Sequence, residues 1–175
     1  MFYHYTSLRH LPGIAEHGLT VGDVPTDIRR DRGRIGVWLT TSDSGKGHGL
    51  ERSKSDKRTY RLSVAIELNS PQLHRWMDWA PKNATPETIA ALNETGRAFQ
   101  TWWVYFGVIP RDAIVACTLT TTSELVQQWW RLCPAELAYR PVPAWRREAW
   151  HKRLLKDVRR ARSKQAVYVS DPLGR

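Results

Sequence analysis

Apolar and aromatic positions along this chain fall into short runs, which predict many brief elements. Phe2, Tyr3, Tyr5 and Thr6 give the first run the composition of a strand, with His4 inside it. Ser7 and Gly18 bracket a helix over Leu8–His17, and Pro12 lies early enough in that run to be tolerated. Leu19–Ile35 is polar and rich in Gly, Pro and Arg, and reads as a loop. Gly36–Thr41 is a second strand, followed over Ser42–Arg58 by a Gly/Ser loop carrying Lys46, Lys54 and Lys57. Thr59–Leu68 alternates, placing Tyr60, Leu62, Val64 and Ile66 on one strand face.

Further on, Leu73, Trp76 and Met77 predict a helical turn or two within Pro71–Trp79, and Pro81–Pro86 is a break. Thr85 as N-cap and Pro86 at the first helical position start a helix that runs to about Glu94. Phe99–Ile109 and Ile114–Thr121 read as neighbouring core strands around a Pro110–Asp112 turn. Leu125, Trp129 and Leu132 mark a helical face that ends near Cys133. Residues 134–144 form a proline-bearing linker. Trp150, Leu154 and Val158 then repeat at helical spacing within a basic helix over Trp145–Lys164, and residues 165–175 read as a tail.

Together these elements predict one α+β domain. It has a mixed core over residues 1–122 and a helical, basic extension over residues 123–175. Net charge sharpens that division. The chain carries 27 Lys and Arg against 17 Asp and Glu, a net of +10. Nine of the cations and two of the acids lie in Trp145–Lys164, a local net of +7 that leaves about +3 for everything else. A polyanion or an acidic surface is the expected partner, with Arg147, Lys152, Arg153, Lys156, Arg159 and Arg160 as candidate nucleic-acid contacts. A run of transmembrane length and a secretory start are both missing from the pattern, so no membrane partner and a cytoplasmic location are expected. Cys117 and Cys133 read as buried thiols, and no Cys/His spacing predicts a metal site.

The candidate chemistry lies in His4-Tyr5-Thr6, the Ile14…Gly18-Leu19 helix exit, and Gly36-Val-Trp-Leu-Thr-Thr-Ser-Asp-Ser44. In this order and spacing, these motifs resemble the NAD-binding core of the ADP-ribosyltransferase superfamily. The likeness is to the histidine-tyrosine-glutamate branch, which includes poly(ADP-ribose) polymerases, diphtheria-like and DNA-modifying toxins and RNA 2′-phosphotransferases. It covers roughly residues 1–120. The resemblance implies a split β-sheet core with flanking helices, with NAD bound as substrate. His4 is then the ribose anchor, and Tyr5 stands where the family often has glycine. Trp38 takes the aromatic strand position, and Thr6, Thr40, Ser42 and Ser44 are the neighbouring polar groups. Arginines of the loop Arg29–Arg32 either approach the pyrophosphate or are simply solvated.

The family's catalytic glutamate is unmatched. Depending on register, its position falls on Gln100, Trp102 or Trp103, and none of these is acidic. Gln100 accepts a hydrogen bond but cannot neutralise the positive charge that develops on ribose as nicotinamide leaves. Either another acid serves (Glu51, Asp43 or Asp112), or the reaction is slow and substrate-assisted, or the domain only binds. The expected function is transfer of ADP-ribose from NAD⁺ to nucleic acid or protein. The alternatives are a catalytically silent NAD- or nucleic-acid-binding module and RNA 2′-phosphotransfer to NAD⁺. Of the tryptophan pairs Trp102-Trp103 and Trp129-Trp130, at least one ring each is expected at a surface, where it would be available to stack on bases.

Overall fold

The computed structural model describes residues 1–51 and 56–169, with side chains as far as Ser163. Its strands are β1 (Phe2–Thr6), β2 (Asp23–Asp27), β3 (Arg32–Ile35), β4 (Val37–Thr40), β5 (Tyr60–Val64), β6 (Leu73–Arg75), β7 (Trp102–Tyr105) and β8 (Ile114–Leu119). Helices are α1 (Leu11–His17), α2 (Trp76–Asn83), α3 (Pro86–Thr95) and α4 (Arg147–Val169). Six strands form one sheet in the order β6-β7-β4-β1-β5-β8, with every pairing antiparallel, and β2 and β3 form a separate hairpin. The ladder is uneven at its centre. β1 meets β5 at five registered pairs and β4 meets β7 at four, but β1 meets β4 only at Tyr3–Thr40.

Alternation along the strands sorts two cores onto opposite faces. Phe2, Val37, Leu39, Leu62, Val64 and Cys117 pack with Leu11 and Ile14 of α1, and Trp103 joins them edge-on to Phe2 at 5.3 Å. Val104 and Trp102 face the other way, toward Trp76, Trp79 and Ala80 of α2 and Val24 of the hairpin, with Trp38 packed alongside. Fully burying one such large apolar side chain contributes about 1.5–3 kcal/mol, so the tryptophans dominate this second core. Gly18 closes α1 with φ +75°, and a Cβ there would lie 2.1 Å from the Ile109 carbonyl oxygen. That close approach is what lets Leu19 and Ile109 exchange backbone hydrogen bonds of 2.9 and 3.0 Å. Thr85 caps α3 by accepting from the Thr88 amide at 3.3 Å, as its sequence predicts.

Several local expectations are corrected. Leu19–Ile35 is not a loop: Asp23–Asp27 and Arg32–Ile35 pair despite Pro25, with a bulge between Pro25 and Asp27 absorbing the irregularity. The first helix becomes α only at Leu11, because Pro12 fits only its opening turn, and Leu8–His10 is 3₁₀. Ser7 does not cap; its hydroxyl bonds His10 Nδ1 at 2.8 Å. Residues 73–75 are strand rather than helix, and α2 continues through Pro81 because Trp76, Trp79 and Ala80 are buried on its inner face. Phe99–Thr101 is 3₁₀ before β7 begins. β7 and β8 are not neighbours, since β4, β1 and β5 lie between them.

The strand from Thr59 ends at Val64, where the register shifts and Ala65 donates to the Ala113 carbonyl. The helix expected over Ser123–Cys133 is replaced by a return strand bridge between Thr118 and Leu125 and one 3₁₀ turn at Trp129–Arg131. Ser123 (φ 61°) and Gln128 (φ 47°) are left-handed there, which no helix accommodates. The basic helix runs on to Val169, beyond its expected end. Lys54 and the last six residues of the expected tail lie outside the described residues. Among the described residues no helix is long and apolar enough to cross a membrane.

Candidate functional site

Where β1 and β4 part, a cleft of about 950 Å³ opens beside their only registered pair. His4 stands at this gap and bridges it, its Nδ1 lying 2.9 Å from the Trp38 carbonyl oxygen. A carbonyl only accepts, so Nδ1 carries the proton and Nε2 presents a lone pair. Desolvation by burial pushes the His4 pKa down to about 4, and the Lys57 cation adds to this against the opposing backbone bond. The ring is therefore neutral at physiological pH. Its Nε2 has no partner among the described residues and is free to accept a hydroxyl proton. His10, also in the cleft, is pushed down to about 4 by burial, then by Lys57, His4 and Arg9.

Tyr5, Thr6, Trp38 and Thr40, all expected from sequence, line the same cleft. Trp38 is held on two sides. Its carbonyl receives His4, and its indole Nε1 donates to the Asp23 carbonyl at 2.7 Å, while its ring lies against Trp76 and Trp102 at 5.1 and 5.5 Å. Trp102 faces the cleft opposite Thr40 in register, one of the positions on which the glutamate would have fallen. Its indole N–H donates to His48 Nδ1 at 2.9 Å. His48 then donates from Nε2 to the Ser44 carbonyl at 2.8 Å and stacks on Tyr5 at 5.5 Å. That chain of contacts pins the glycine loop against the cleft floor.

Other expected site residues are elsewhere. Gln100 is exposed on the 3₁₀ turn before β7 and does not line the cleft, because the turn carries it past the strand. Ser42 and Ser44 also stay outside the lining. Their hydroxyls serve the turn itself, Ser42 Oγ accepting from the Ser44 amide and Ser44 Oγ from the Lys46 amide, both at 3.3 Å. None of the three candidate replacement acids lines the cleft. Glu51 accepts from the Gly47 amide, Asp43 is outside the lining, and Asp112 lies in a different groove on the β8 edge. Arg29 and Arg30 pair with Glu87 and Asp27 away from it.

The opposite wall comes from the far end of the chain. Residues 134–144 are no free linker. Tyr139 donates its amide to the Arg9 carbonyl at 2.9 Å, Arg9 lies 4.3 Å over the Tyr139 ring, and Thr20 donates to the Val142 carbonyl at 2.6 Å. This strap and the start of α4 bring Arg140, Arg146, Trp150 and Arg153 to the cleft, and Lys57 stands at it as well. Arg147, expected at nucleic acid, instead turns inward. It donates to the Thr20 and Gly107 carbonyls at 2.7 and 3.1 Å, because those two carbonyls lie beneath the helix start. Arg159 lies 3.7 Å from Asp31 and Arg160 4.0 Å from Asp157. Lys152, Arg153 and Lys156 have no acid partner among the described residues.

Comparison of the chain with protein-family models, with curated proteins and with solved structures returns no match. His48, Asp23 and Arg140 are among the cleft residues that sequence did not mark as site residues. His48 gave no signal beyond a lone histidine among glycines. Asp23 sat in a stretch read as loop, where a strand reading would have set it two residues before Pro25 on a sheet edge. Arg140 was hidden by prolines on both sides of its neighbourhood.

Proposed function

We propose that this cleft binds NAD⁺ and that the protein transfers ADP-ribose from it to a macromolecular acceptor. The observation that carries the reading is the neutral His4, with Nδ1 fixed on Trp38 and Nε2 free at the division of the sheet. A ribose offers hydroxyl donors to such a lone pair, and a protonated histidine would refuse them. The aromatic faces of Trp38, Trp102 and Trp150 suit the two flat rings of a dinucleotide, and Arg140, Arg146 and Arg153 suit its pyrophosphate. The narrow join between β1 and β4 agrees with the split sheet that the sequence resemblance implies.

A silent binding module is the second reading, favoured by one observation: among the described residues no glutamate lines the cleft. Labelled NAD⁺ mixed with DNA, RNA and cell protein tests both readings, using wild type and His4→Ala. Label on a macromolecule that is lost with His4→Ala supports transfer and names the acceptor class. NAD⁺ binding without any label supports the module. Absence of NAD⁺ binding by the wild type, measured by calorimetry, sinks both.

A further inference from the structure

Among the described residues one carboxylate lines the cleft, that of Asp23. It lies at the start of β2, in register with Ile35, and two hydrogen bonds fix it there. The Trp38 indole holds its carbonyl at 2.7 Å. His151 of α4, itself buried, lies with Nε2 3.0 Å from Asp23 Oδ1. Gly33 leaves room for that oxygen, since a Cβ at residue 33 would lie 2.7 Å from it. Oδ2 has no partner among the described residues, and 27% of the side chain stays accessible. Trp38 also carries the carbonyl that receives His4. Trp38 thus holds both the main chain of Asp23 and the ring of His4, and both residues line the cleft.

We propose that Asp23 is the catalytic carboxylate of this site and that His151 is its positioning residue. The proposal rests on the NAD⁺ reading and answers the missing glutamate within it. The ribose C1′–nitrogen bond breaks with its electron pair leaving on neutral nicotinamide, and positive charge develops at C1′. Asp23 faces that charge across a cleft walled by protein, where a fixed carboxylate acts more strongly than in water. A lone pair of the acceptor, water in the simplest case, forms the new bond to C1′. The acceptor's proton passes to Asp23 Oδ2 and from there to solvent, so NAD⁺ and acceptor give ADP-ribosyl acceptor, nicotinamide and one proton. His151 donates to Oδ1 and keeps Oδ2 turned to the cleft. A carboxylate reached through a hairpin and held by the C-terminal helix also explains why no acid is needed near β7.

Asp23→Asn separates this role from a structural one, because the amide oxygen still accepts from His151 and the tie to α4 is kept. NAD⁺ binding is measured by calorimetry and nicotinamide release by chromatography, on the full chain with water as acceptor. Expected for Asp23→Asn are a dissociation constant within about threefold of wild type, an unchanged melting temperature and nicotinamide release lower by about 10²–10³-fold. His151→Ala is expected to lower kcat with KM unchanged, and His151→Gln, which can still donate to Asp23, to recover most of it. Wild-type release by Asp23→Asn overturns the proposal and leaves the NAD⁺ reading standing. Binding by the wild type without release, either to water or with DNA, RNA and cell protein added, overturns it in favour of the silent module. A wild type that does not bind NAD⁺ overturns both. If Asp23→Asn fails to fold, the histidine pair decides: equal kcat in His151→Ala, His151→Gln and wild type overturns the assignment.

Discussion

Acid should destabilise this protein through His4 in a way that one substitution can isolate. In the unfolded chain a histidine titrates near its ordinary 6.5, whereas burial pushes His4 down to about 4 in the fold. Between those values the unfolded state binds more protons than the folded one. Stability therefore falls as pH drops through this window and is unaffected by His4 above it. A tenfold difference in proton affinity between the two states is about 1.4 kcal/mol, so the full loss attributable to His4 is about 3 kcal/mol. His4→Asn keeps a donor where Nδ1 meets the Trp38 carbonyl but removes the titrating ring. Urea unfolding of both proteins at pH 7 and pH 3.5 gives two losses, and the carboxylates contribute to each alike. The wild type should lose about 3 kcal/mol more than His4→Asn. Equal losses would show that His4 is solvated and ionisable, and the claim that it offers a neutral acceptor to the cleft would fail with it.

Other perturbations give outcomes just as definite. Arg147→Ala should cost about 2 kcal/mol in urea unfolding, since two carbonyls lose a charged donor, and should leave nucleic-acid affinity unchanged in a filter-binding titration. Gly18→Ala should destabilise by more than the roughly 1–2 kcal/mol of left-handed backbone, because its Cβ also meets the Ile109 carbonyl; a melting curve indistinguishable from wild type would refute the close approach. If Lys152 and Lys156 are the nucleic-acid contacts, two phosphates are engaged. Affinity for duplex DNA should then fall about twelvefold between about 50 and 200 mM salt, and replacing both by Gln should flatten that slope.

Sequence legibility followed locality. The α3 start at Thr85-Pro86, the β1 and β4 strands and the α1 stop at Gly18 are each specified by adjacent residues, and all four are where the pattern put them. The β2–β3 hairpin is different. Pro25 and Gly33 argue locally against strand, and only their mutual pairing and the packing of Val24 against Trp76 and Trp102 decide otherwise. The same reasoning covers Leu125 and Trp129, whose helical spacing loses to a bridge with Thr118. In the site, His4 and Trp38 were readable because a motif carries them, 34 positions apart but on strands that meet. Asp23 and His151 are 128 positions apart and belong to no motif, so only the folded chain brings them together.

The strap over residues 134–144 gives the molecule an order of completion. β1 precedes both of its strand partners, and both lie within the first 64 residues of the chain. The wall bearing Tyr139, Arg140, Arg146 and Arg153 comes later in the chain and docks onto the 3₁₀ turn Leu8–His10 ahead of α1. A fragment ending at residue 122 would hold His4 and Trp38 but lack the facing wall, and residues 123–175 supplied separately carry the contacts needed to restore it. The protein is thus a candidate for reconstitution from two pieces, with the cleft existing only in their complex.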